Sequence, residues 1–223
     1  MTRSPGQTPD TPGAPLPEHP HILRGMALLA FAGPVIFAVA ILVADFVVPD
    51  HDWIADTISD LGAGRYEFIV DIGIYAYAAA LIGCAVAASH AHLGGLGWTV
   101  GIYGLIAAGL IVFLIGARNE YGDGDGSTFH IHIYLVLAVY AIFAVITWSM
   151  SEGLMAVDRR AGIVARAVTL VWVPTAPVFL FMATDIDGLY ERFLGVQTFV
   201  FVYALAWVFR ARAHAVADRG GEG

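Results

Sequence analysis

The stretch 26-MALLAFAGPVIFAVAILVA-44 contains no charged residue. A helix needs ~20 mostly apolar residues to cross a bilayer, and this run, continued to about residue 48, supplies them. Five more runs of similar length follow, at about 66–89, 95–117, 129–150, 162–183 and 190–210. The whole chain agrees: mean hydropathy is +0.73 over 223 residues, and charged residues make up 13%, against ~25% in soluble domains. The expected fold is an all-α integral membrane protein, a six-transmembrane-helix bundle. Residues 1–22, rich in Pro and polar side chains, read as a disordered tail. Residues 23–212 form the transmembrane domain and 213–223 a polar C-terminal tail.

Every basic residue is Arg, and net charge is −8. That balance argues against a nucleic-acid partner, which needs a basic patch. If the runs alternate, Arg3, Arg24, Arg159, Arg160, Arg166, Arg210, Arg212 and Arg219 fall on one side, and Arg65, Arg118 and Arg192 on the other. The positive-inside rule then places both termini in the cytoplasm. Tyr66, Tyr134 and Tyr190 mark outer helix ends, and Trp148 and Trp207 inner ones, as an aromatic belt would.

Small residues recur at helical spacing. Ala76, Ala80, Gly83 and Ala87 share a face of the second run; Gly94, Gly97, Gly101, Gly104 and Ala108 recur along the third. Such stripes let two membrane helices approach closely, within one chain or between chains, so oligomeric state stays open. Pro174 and Pro177 should kink the fifth run and free carbonyls that need partners.

Outside the spans, 51-HDWIADTISDLGAGRYEF-68 concentrates polarity: three Asp, one Ser, one His and one Glu. Trp53, Ile54, Ile58 and Leu61 recur near helical spacing, which predicts a short helix lying flat at the outer headgroups. Asp71 falls about one turn inside the next span and shares a face with Glu67. Carboxylates at that depth face the bundle interior and pair; Arg118 and Arg192 are the expected partners.

The histidines offer several chemistries. His51, His130 and His132 on the outer side have the residue types of a zinc site with Asp60 or Asp71. Residues two apart on a helix point ~200° from each other, so only one of His130 and His132 faces the bundle. His90 and His92 lie on the opposite membrane side. Residues 122–128 (GDGDGST) space Asp123, Asp125 and Ser127 like a calcium loop but lack its central Gly and closing Glu. Ser59, Asp60 and His130 have the residue types of a nucleophilic triad without a GxSxG elbow. No cofactor motif is present, and none is expected.

Two segments, ISDLGAG (58–64) and GLYERF (188–193), with a histidine heading the fourth span, resemble the membrane family catalogued as domain of unknown function DUF-998. The resemblance covers about residues 25–212. It implies a six-helix bundle without an assigned activity, and points at Ser59, Asp60, Gly62, His130, Glu191 and Arg192. More distantly, the chain is similar to Frag1/DRAM/Sfk1-like membrane proteins, which implies lipid handling. Membrane hydrolases of the ceramidase type carry a His pair four apart on a late helix, and this sequence has no such pair.

The expected function is therefore a multi-pass protein of the cell membrane, non-enzymatic rather than catalytic. Its partner is the bilayer, and its outward polar cluster binds a lipid headgroup or small polar ligand. The cluster comprises Ser59, Asp60, Glu67, Asp71, Arg118, His130, Glu191 and Arg192. A metal-dependent membrane hydrolase and a small proton-coupled transporter are the alternatives.

Overall fold

Why do these runs become helices, and what joins them? The computed structural model describes residues 18–91, 93–117, 127–182 and 185–220; for 127–131 and 220 it describes the backbone alone. Helix α1 (Pro20–Val47) starts on a proline, whose fixed φ suits the first helical position and whose missing N–H costs nothing there. A loop carries the short α2 (Ile58–Leu61), and a 3₁₀ turn over Gly64–Tyr66 leads into α3 (Glu67–Ala91). Gly94 and Gly95 (φ 71° and 82°) make the turn into α4 (Leu96–Ala117), a conformation that side chains resist. Helix α5 (Ser127–Val157) meets α6 (Arg159–Thr175) at Asp158, whose Oδ1 accepts the N–H groups of Arg160 and Ala161 at 2.8 and 3.2 Å. That N-cap satisfies two of the donors a helix start leaves open.

Six of these helices are long and apolar enough to cross a membrane, and the described residues contain no strand. With six crossings the two termini share a side. Helix α7 (Asp187–Gly220) runs through residues read from sequence as a polar tail, and Ala213 is fully buried.

The long helices form a ring in chain order. Each packs on the next, α7 closes on α1, and α7 also leans inward onto α3 and α5. Lipid gives apolar helices no net reason to associate, so contact must come from close fit. The two stripes of small residues supply it, each toward a different neighbour. A Cβ on Gly33 of α1 would lie 2.5 Å from the Cβ of Ala80 and 2.7 Å from the Ala76 carbonyl. On α4, Gly97 abuts the Ser149 carbonyl, and Gly101 and Gly104 receive Met150 and Ile146 of α5. The opposite edge of α4 uses Gly109 and Gly116 against α3.

Around Pro174 and Pro177, α6 gives way to 3₁₀ geometry over Ala176–Phe181. Tyr190 Oη donates to the Thr175 carbonyl there at 2.9 Å, so this tyrosine braces the break rather than serving the belt. Tyr134, Trp148 and Trp207 are exposed, at 67%, 59% and 59%, as belt residues should be.

Candidate functional site

The loop between α1 and α3 is a plug, not a flat surface helix. Its polar side chains take up its own backbone, which competes with helix formation. Asp52 Oδ1 accepts the Ile54 N–H at 3.0 Å, and Asp56 Oδ2 accepts the Asp52 N–H at 2.8 Å. Thr57 and Asp60 form a reciprocal capping box that starts α2. Only α2 is α-helical within this loop, and its Ile58 and Leu61 are buried against Ile41, Ala44 and Val70 rather than against headgroups. Trp53 and Ile54 stay exposed. Helix α7 holds the plug from the far side: the Leu189 N–H donates to the Ile54 carbonyl at 2.9 Å, and Gly188 abuts the Asp56 carbonyl with no room for a side chain.

A charged knot ties the plug to α1 and α7. Arg192 Nη2 lies 2.6 Å from Asp45 Oδ1, and its Nη1 donates to the carbonyls of Asp56 and Gly188 at 3.1 and 3.0 Å. The His51 side chain, 3% exposed, sits among them, with Nε2 3.1 Å from Asp45 and Nδ1 3.5 Å from Asp56. One guanidinium thus bridges the end of α1, the plug and the start of α7. The expected pairing of Arg192 with Asp71 is replaced by pairing with Asp45.

Beneath the plug lies a cavity of about 160 Å³ on the bundle axis, reached by all six spans. Its polar rim is at the plug. Ser59 Oγ lies 3.2 Å from His132 Nε2, and the Glu191 carboxylate accepts the Ile58 N–H at 2.6 Å. Most of the remaining wall is apolar or aromatic, including Phe37, Ile74, Val136 and Leu194.

Two parts of the expected cluster are separated by the plug backbone. Ser59 and Glu191 border the cavity, whereas Arg192 belongs to the knot. The Asp60 carboxylate accepts the N–H and hydroxyl of Thr57 in the cap. The histidine that reaches Ser59 is His132; the side chain of His130 and all of Arg118 lie outside the described residues, as do His92 and residues 122–126. Glu67 and Asp71 stay together on the first turns of α3, and Asp71 Oδ1 is buried without a hydrogen-bond partner among the described residues. No three His, Cys, Asp or Glu among the described residues converge as metal ligands. Sequence reasoning missed Asp45; a carboxylate within an otherwise apolar span was the available signal.

A family model described as "Protein of unknown function (DUF998)" matches residues 31–208, which include every residue of the knot and the cavity rim. No curated protein and no solved structure matches the chain.

Proposed function

Since the chain belongs to the DUF998 family, whose description assigns no activity, we propose a role from the site itself: binding an amphiphile at the axial cavity. The plug is taken to face outward, as the Arg distribution favours. The observation that carries this reading is the cavity's polarity gradient. A hydroxyl, an imidazole and a carboxylate (Ser59, His132 and Glu191) stand at one end, above largely apolar walls. Ligand sites pair an apolar lining with a few placed polar groups in this way. The Arg192 charge is matched by Asp45 in the knot, and the rim offers a hydroxyl, an imidazole and a carboxylate, so the suited headgroup brings hydroxyl or ammonium donors.

The test is lipid retention by the purified chain, measured by native mass spectrometry. Val136 borders the cavity; Val136→Trp should cut retention at least tenfold while the protein stays monodisperse and helical. Unchanged retention sinks the reading.

One observation favours a second reading. Ser59 and His132 are within nucleophile–base reach, which suits hydrolysis of an ester. A fluorophosphonate probe should then label wild type at Ser59 and leave Ser59→Ala unlabelled. Absence of labelling together with absence of ester turnover leaves binding alone. The metal-dependent form of hydrolysis is tested by metal content beside His130→Ala: about one zinc per chain, lost in the variant, would support it.

A further inference from the structure

The axial cavity has a neighbour. Phe37, Ile58 and Gly195 line it toward α1 and α7, and the same three residues line a groove of about 560 Å³ between those helices. The two hollows thus share one wall, a single residue thick. At Gly195 that wall has no side chain, and an added Cβ would meet no atom within 4 Å.

Size links the two. A cavity of ~150 Å³ accepts a guest about the size of benzene. The axial cavity therefore holds a headgroup or a chain end, not a whole amphiphile, and the rest must lie elsewhere. The groove offers that space. Its outer walls include Leu42, Phe46 and Val196, which are 57%, 89% and 55% exposed on spans that face hydrocarbon.

The seam between α1 and α7 is also pinned at both ends. Arg192 pairs with Asp45 at the plug end. Arg212 pairs two-pronged with Glu18 at the other, at 2.6 and 2.9 Å. The two arginines are twenty residues apart on one helix, ~30 Å, which matches the hydrocarbon core. Ion pairs hold the seam at headgroup depth while the groove opens it between them.

We propose that the α1–α7 groove is a lateral portal: a bilayer lipid lays an acyl chain in it and passes its polar end by Gly195 into the axial cavity. This rests on the amphiphile-binding reading and adds the source and route of the ligand. The occupant is an acyl-chain lipid with an uncharged or zwitterionic head, because the charges at the groove mouth, Asp45 and Arg192, cancel.

The experiment uses the full chain in phosphatidylcholine nanodiscs doped with a diacylglycerol, whose polar end is a single hydroxymethyl, that bears a diazirine next to its ester carbonyl. After irradiation, adducts are mapped on wild type, Gly195→Trp and the milder Gly195→Leu. Wild type should carry adducts at the cavity wall (Val136, Tyr140) and in the groove (Leu42, Val196). Both variants should lose the cavity adducts at least fivefold and keep the groove adducts. Equal cavity labelling in all three overturns the portal and leaves the binding reading standing. Cavity residues unlabelled even in wild type, with the groove labelled, overturn both the portal and the proposed occupancy of the cavity. Helicity and detergent elution confirm that each variant folds, and either one suffices.

Discussion

Asp45 and Arg192, each 15% exposed, leave the other a half-buried charge short of its ion partner when one is removed. Asp45→Asn should lower stability by about 2 kcal/mol, read as an earlier thermal transition in detergent. The paired change Asp45→Leu with Arg192→Leu should cost less than the sum of the single changes, since it removes both charges at once. A fully additive cycle would mean that the pair does not hold the seam. At this scale the sequence was half legible. Helical phase alone required that only one of His130 and His132 face inward. Which one depends on how α5 docks, and no local pattern encodes that. Asp45 itself stands out as a carboxylate at the end of an apolar run, but its pairing was not legible, because the partner lies 147 residues away.

At the level of elements, the glycine rows carry the argument. Gly97→Ala sets a methyl 2.5 Å from the Ser149 carbonyl oxygen, a backbone atom that cannot swing away. Helices α4 and α5 should separate locally, at a cost of about 1–3 kcal/mol typical of overpacking, measured by thermal or denaturant unfolding in detergent. Gly195→Ala, with open space around it, is the control and should be nearly silent. These rows were readable because close approach demands small residues at helical spacing. The plug was not readable. Its apolar residues have helical spacing, but Asp52, Asp56, Thr57 and Asp60 divert the backbone donors into turns and a cap. Gly188 then lets α7 close against the result.

For the whole molecule, hydropathy alone delivered the six spans, because crossing hydrocarbon imposes a length and a composition on each. The order of the ring did not follow from hydropathy, which says nothing about neighbours. Orientation is testable in a Cys84→Ala background, which removes the lone cysteine, a fully buried one. Asp52→Cys on the plug should react with a membrane-impermeant maleimide on intact cells, and Asp218→Cys only after permeabilisation. The reverse pattern would invert the assignment.

The ring's closing joint has a consequence for biogenesis. Every other joint forms between helices that leave the ribosome one after the other, but α1 must wait for α7. Until then Asp45 stands at the end of α1 without Arg192, and the groove has only one wall. A nascent chain stalled before residue 187 would leave Asp45 with His51 beside it but without the guanidinium that offsets its charge. Arrival of Arg192 both offsets the carboxylate and closes the ring.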